Sequence, residues 1–256
     1  MILISGDSWG AGAWKDGKVY HRGLEQYLHD DGHSVVNLSK KGGSNFHSIE
    51  RITNFLQTQN TQVPLWHDKE IDSIIVFQTE WHRDGAEHNK NSNKNFVVNE
   101  ELHKLSQHLN VGDDQRILSR FYNNLNLIAQ TYNIPIGIVG GCSDTIWIDE
   151  FESQYPGLYI ICQSFSNLVV NDNHRIDNPV HTINIPPHIL EKVHELVEDN
   201  AVHEYLFDMI DLGNQRVKMW DDNPQWFKPD GRHANHLAHK KLFDYIKANN
   251  LLRQKS

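Results

Sequence analysis

With 256 residues, 38% of them hydrophobic and 22% charged, the chain is long enough for one full α/β domain around a buried core and too apolar to be disordered. Its 24 Lys and Arg against 33 Asp and Glu give a formal charge of -9, and no basic run is present to follow a phosphate backbone, which excludes nucleic acid as the expected partner. The two cysteines, Cys142 and Cys162, are too few for a disulfide framework, and the apolar start lacks a basic leader and is too short to span a bilayer, so a cytoplasmic or virion-associated protein with no signal peptide or transmembrane segment is expected.

Met1 to Ser5 is a short apolar run that reads as a buried strand, and it delivers Gly6-Asp7-Ser8 into a loop at its C-terminal end. The spacing of Leu24, Tyr27 and Leu28 predicts a helix over Tyr20 to His29, followed by a β-rich stretch from His33 to Leu38 that ends near Gly42 and Gly43. Helical spacing returns over Phe46 to Leu56, and Ile71 to Phe77 is a strongly apolar strand. This β-α-β-α-β order predicts a parallel sheet covered by helices on both faces.

A polar, Asn- and His-rich stretch over about 82-110 then interrupts the rhythm and reads as an insertion at the edge of the sheet where loops build sites, helical in part around Asn99 to His108. A long amphipathic helix is expected over Asp113 to Tyr132 and a fourth strand over Ile134 to Val139. Between Asp144 and Trp220 the pattern weakens; Leu158 to Cys162 reads as a strand, and Ile189 to Val197 and Val202 to Ile210 as helices. Phe227-Lys228-Pro229-Asp230-Gly231 is a loop by its Pro and Gly, and Ala234 to Leu251 closes the chain as a helix.

Two constellations carry chemistry. Ser8, at a strand-to-helix turn, presents its hydroxyl where backbone N–H groups face any negative charge that develops, although Gly-Asp-Ser is also ordinary turn chemistry. Asp230 and His233, three residues apart across a Gly turn, can place a carboxylate where it orients an imidazole whose other nitrogen faces a nucleophile; each alone could simply cap a turn or a helix. Both motifs fall in loops that a doubly wound fold gathers at one edge of its sheet.

Leu3-Ile4-Ser5-Gly6-Asp7-Ser8 resembles the block that opens the SGNH (GDSL-like) hydrolases, and Pro229-Asp230-Gly231-Arg232-His233-Ala234-Asn235 resembles their closing Asp-x-x-His block. Asn37-Leu38-Ser39-Lys40-Lys41-Gly42-Gly43 resembles the second block, whose glycine donates an N–H to the oxyanion. The resemblance implies a single-domain, flavodoxin-like three-layer α/β/α sandwich with a mainly parallel sheet over residues 1-256. It also implies Ser8 as nucleophile, His233 as general base and then acid, Asp230 as its orienting partner, and the N–H groups of Ser8 and of Gly42 or Gly43 as oxyanion donors. The activity it implies is hydrolysis of small acyl esters, with O-acetyl groups on carbohydrate as the foremost substrate, without metal or other cofactor and without a membrane partner.

The sequence departs from the family after the third strand. Phe77-Gln78-Thr79-Glu80-Trp81-His82 places Glu80 where an asparagine amide usually completes the oxyanion hole, and an ionised carboxylate donates no hydrogen bond. Loss of one such donor costs on the order of 10²-fold to 10³-fold in turnover. Gln78, Thr79, Asn45 and His82 are the candidate substitutes, and Glu80 and Asn45 are expected to face the substrate. The same departure supports a rival reading, a weak or inactive SGNH-like domain with a structural or glycan-binding role, as in a phage particle.

Of the 17 histidines, His233, His236 and His239 recur every third residue, yet on a helix only neighbours in that series share a face, so no metal site is expected there. Among the tryptophans, Trp9 and Trp14 flank the nucleophile loop and Trp226 precedes the Asp-His loop; Trp9 and Trp226 are the candidate platforms for a sugar ring.

Overall fold

The computed structural model describes residues 1-59, 70-80, 113-146, 150-180, 200-227 and 233-255. Strand β1 (Ile2–Ser5) leads into a one-turn helix, α1 (Ser8–Ala11), and a hairpin, β2 (Ala13–Lys15) and β3 (Lys18–His21). Then come α2 (Leu24–Asp30), β4 (Val35–Asn37), α3 (Asn45–Gln59), β5 (Ser73–Gln78), α4 (Asp113–Tyr132) and β6 (Ile136–Gly140). The remaining elements are α5 (Phe151–Gln154), β7 (Leu158–Cys162), α6 (Phe165–Asn171), α7 (Asn200–Asp221) and α8 (His236–Ala248).

Five strands form one parallel sheet in the order β4-β1-β5-β6-β7. The chain leaves β1 towards β4 on one side and later crosses to β5 on the other, so the loops after these strands part at the carboxyl end of β1, the crevice where open α/β sheets hold their ligands. Alternation along the buried strands supplies two cores. Leu3, Ile74, Val76, Ile136 and Ile138 face a layer that includes Ile52 and Leu56 of α3 and Leu118, Phe121 and Leu125 of α4. Ile4, Ile75, Phe77 and Val139 face the opposite layer, with Leu24 and Leu28 of α2, Phe165 of α6, Trp220 of α7 and Leu242 and Ile246 of α8. The three-layer α/β/α arrangement with a parallel sheet is therefore present as expected.

Some boundaries differ. Tyr20 lies in β3, not in a helix, because Asp16 and Gly17 adopt φ of 51° and 72°, the paired left-handed residues of a tight hairpin turn, and the following helix starts only at Leu24. Helices α5 and α6 were not anticipated, and α7 extends well beyond Val202 to Ile210. The polar stretch at 82-110 and the helix expected at Ile189 to Val197 lie outside the described residues. Among those described, no helix is long and apolar enough to cross a membrane.

Two devices fix the loops at the carboxyl edge. Arg216 of α7 forks onto Asp144 after β6, Nη1 to Oδ1 at 2.9 Å and Nη2 to Oδ2 at 2.5 Å, with both side chains buried. At the first residue of α3, the Asn45 side chain brackets the backbone of Thr79, accepting its N–H at 2.9 Å and donating to its carbonyl at 3.0 Å.

Candidate active site

The Ser8 loop is built from the backbone upward. A Cβ on Gly6 would sit 2.7 Å from the Phe77 Cβ, so only glycine lets β1 pass this close to β5 before the chain turns. Asp7 then caps α1, its Oδ1 accepting the Trp9 N–H at 2.9 Å, and Ser8 opens the helix. The turn after β4 is fixed alongside, because the Lys40 N–H donates to the Gly6 carbonyl at 3.1 Å.

From the other end of the sequence, Phe227 and Ala234 form an isolated antiparallel bridge, and Asn235 caps α8 by accepting the Ala238 N–H at 3.1 Å. These two anchors set His233 at the mouth of the last loop. Its Nε2 lies 2.9 Å from the Ser8 Oγ, although the two residues are 225 positions apart. Ser8 is 5% exposed and His233 is half-buried, so the contact lies at the edge of the interior. A serine hydroxyl in hydrogen-bond reach of an imidazole nitrogen is the geometry in which the imidazole can take the hydroxyl proton. Asp230 lies outside the described residues.

The other expected site residues take varied places. Gly42 is exposed, with φ of 68°, while the Gly43 N–H closes a turn onto the Lys40 carbonyl at 3.0 Å. Gln78 turns into the interior, its Nε2 donating to the Asp144 carbonyl and its Oε1 accepting the Tyr122 hydroxyl, both at 2.5 Å. The backbone N–H of Thr79 is held by Asn45, and Asn45 is itself fully buried. Trp9, expected as a platform, is a core residue at 2% exposure, its ring 5.3 Å from that of Trp220, 5.9 Å from Phe165 and 6.1 Å from Phe227. Trp226 is half-buried, with the Lys241 ammonium 5.2 Å above its ring.

Beneath Ser8 lies a group that the sequence did not assemble. The Thr79 hydroxyl oxygen is 3.0 Å from Asp7 Oδ2 and 2.9 Å from Glu80 Oε2, and Cys142 Sγ is 3.5 Å from Glu80 Oε1. Asp7, Glu80 and Cys142 are all buried and offer one ligand-type atom each within 4.8 Å of one another, an arrangement that could hold a cation.

Trp14, not expected among the site residues, adjoins both Ser8 and His233. Its ring lies 5.8 Å from that of His233, its Nε1–H donates to the Ser8 carbonyl at 2.7 Å, and the Lys41 ammonium stands 5.4 Å from its centroid. One side chain thus touches both partners of the contact, and its nearness to Ser8 in sequence was the available signal.

The three spaced histidines diverge. His233 meets Ser8, and His236 Nδ1 lies 2.9 Å from the Tyr20 hydroxyl. His239 is fully buried beside Phe77 and Phe165, and burial above all pushes its pKa down to about 3, with the neighbouring His21 adding to the fall and a hydrogen bond to the Gly12 backbone opposing it.

No protein-family model matches this sequence, and no curated protein aligns with it. Among solved structures, the chain is similar to a lipase/acylhydrolase from Enterococcus faecalis (13% identity, 99% of this chain and 96% of that one, TM-score 0.39). It is similar to a member of the lipolytic G-D-S-L family from Veillonella parvula DSM 2008 (13% identity, 96% of each chain, TM-score 0.39). It is also similar to the acetyl xylan esterase AlAXEase (14% identity, 97% of this chain and 99% of that one, TM-score 0.39).

Proposed function

We propose that the chain is a serine hydrolase of small acyl esters, with Ser8 as nucleophile and His233 as the base that activates it. The observation that carries this reading is the 2.9 Å approach of His233 Nε2 to Ser8 Oγ at the carboxyl edge of a parallel sheet. His233 takes the Ser8 proton as Oγ attacks the ester carbonyl, and the tetrahedral oxyanion that forms is held by the N–H of Ser8 with that of Gly42. Collapse breaks the bond to the alcohol, which leaves with the proton from His233, and an acyl-serine remains. Water then attacks, its proton going to His233, and the acid departs as Ser8 recovers its hydroxyl. In this scheme Asp230 holds the second nitrogen of His233 and fixes its tautomer.

O-acetyl groups on carbohydrate are the substrate class we put first, and the half-buried Trp226 ring beside the loop that carries His233 is the aromatic surface that supports it. Hydrolysis of a chromogenic acetyl ester, followed by acetate release from acetylated oligosaccharides, tests both levels. Turnover by the wild type that is abolished in Ser8→Ala, together with fluorophosphonate labelling that is lost in Ser8→Ala and in His233→Ala, is the expected result. Equal rates in wild type and Ser8→Ala would remove Ser8 from the reaction. Glu80 beside the Asp7–Ser8 loop favours the rival, a non-catalytic glycan-binding or structural domain, for which neither turnover nor labelling would be seen.

A further inference from the structure

We infer that His239 is a positioning residue for the nucleophile, its ring forming the seat on which Gly12 and Gly23 cross at the end of α1. The catalytic consequence rests on the hydrolase reading above; the seat itself does not. Helix α8 and the loop before it then meet the nucleophile segment at two points, through His233 at Ser8 and through His239 at Gly12.

A helix as short as α1 has little stability of its own, so the contacts at its ends decide where it lies. Its start is fixed by the Asp7 cap, and its flank by Asn37 Nδ2, which donates to the Gly10 carbonyl at 2.9 Å. Its end is Gly12, a buried residue with φ of 120°. A Cβ on Gly12 would lie 2.4 Å from the His21 carbonyl oxygen. A Cβ on Gly23 would lie 2.8 Å from Gly12 Cα and 3.0 Å from both Cδ2 and Cε1 of His239. The two glycines that bound the β2–β3 hairpin therefore cross in contact, with the imidazole directly against them.

Histidine suits this seat better than an aliphatic residue. Its flat ring packs between the glycines and Phe77 and Phe165, and it makes a hydrogen bond to the Gly12 backbone that a leucine could not. Burial keeps the ring neutral, and the titratable groups facing it are His21 of β3 and His236 at the start of α8.

The path from this seat to the chemistry is short. Gly12 leads into β2, where Trp14 donates to the Ser8 carbonyl at 2.7 Å and lies 5.8 Å from the His233 ring. On the other side, the His239 backbone N–H donates at 3.1 Å to the carbonyl of Asn235, two residues after His233. A shift of Gly12 off the ring thus moves Ser8 against His233, and a misplacement of about 1 Å costs on the order of 10²-fold in rate.

Two measurements test this on preparations that urea unfolding shows to be folded: steady-state hydrolysis of a chromogenic acetyl ester, and amide hydrogen exchange. His239→Leu is expected to lose about tenfold in kcat at similar KM. Its amides over residues 12-23 should exchange at least about tenfold faster, while those of β5 and β6 keep their wild-type rates. His239→Asn and His239→Gln keep a donor, and at least one of them should recover kcat to within about threefold of wild type. Gly23→Ala disturbs the same crossing with His239 in place, should show both changes, and carries the test if His239→Leu does not fold. Wild-type kcat and exchange in either folded variant overturn the inference. Exchange that rises equally in β5 and β6 also overturns it, because the ring would then only stabilise the fold, and Asn and Gln variants as impaired as Leu overturn the role of its hydrogen bond. Faster exchange confined to 12-23, with no ester turnover in any protein, supports the seat and removes the hydrolase reading instead.

Discussion

Replacing Trp14 by Phe separates the two things this side chain does. Phenylalanine keeps an aromatic wall beside His233, now 5.8 Å from the Trp14 ring, but removes the Nε1–H that reaches the Ser8 carbonyl at 2.7 Å. Trp14 is 8% exposed, so water cannot readily replace that donor, and a buried acceptor left without its partner costs about 1 to 3 kcal/mol. If about 1.4 kcal/mol of this falls on the geometry of Ser8 in the transition state, kcat/KM for an acetyl ester drops about tenfold, chiefly through kcat. Trp14→Ala removes the wall as well and should lose about 3 to 5 kcal/mol of stability in addition. The assay is steady-state hydrolysis alongside urea unfolding of the same preparations. A Trp14→Phe protein that unfolds like wild type and turns over at the wild-type rate would refute the reasoning, because the bond to Ser8 would then have no bearing on the nucleophile.

Arg216→Met leaves the buried Asp144 carboxylate without its 2.9 Å and 2.5 Å guanidinium contacts and should cost about 3 to 5 kcal/mol in urea unfolding, with much of the loss recovered when Asp144→Asn is added. His239 gives an acid-sensitivity test: folded, its pKa is held down to about 3, whereas in the unfolded chain it takes a proton below about 6.5. Its contribution is therefore fully present above about pH 6.5 and is lost as pH falls towards 3, at about 1.4 kcal/mol per pH unit. Between pH 7.5 and 5.0 the wild type should lose about 2 kcal/mol more than His239→Leu, measured as unfolding free energies at each pH; identical losses would show that His239 charges without cost.

The sequence by itself determined the layers and offered Ser8 and His233 as candidates. Short apolar runs such as Met1 to Ser5 and Ile71 to Phe77, alternating with helical spacing, require strands buried on both faces, and that requirement is local enough to be read from hydrophobic period alone. Ser8 and His233 are singled out because their two blocks together resemble the end motifs of a known hydrolase family; each local pattern alone allows a simple turn or cap. Trp9 and Gln78 show the limit: both residue types suit a binding rim, and only the direction of each side chain from its backbone sent Trp9 into the core and Gln78 towards Tyr122. Distances between segments far apart in sequence belong to the tertiary structure. It alone placed Trp14 on His233, buried His239 against Phe77 and Phe165, and stacked Thr79 between Asp7 and Glu80. Pairing across 72 positions depends on strand order and register, because neighbouring strands set which loop side chains share a crevice, and no local pattern encodes that choice.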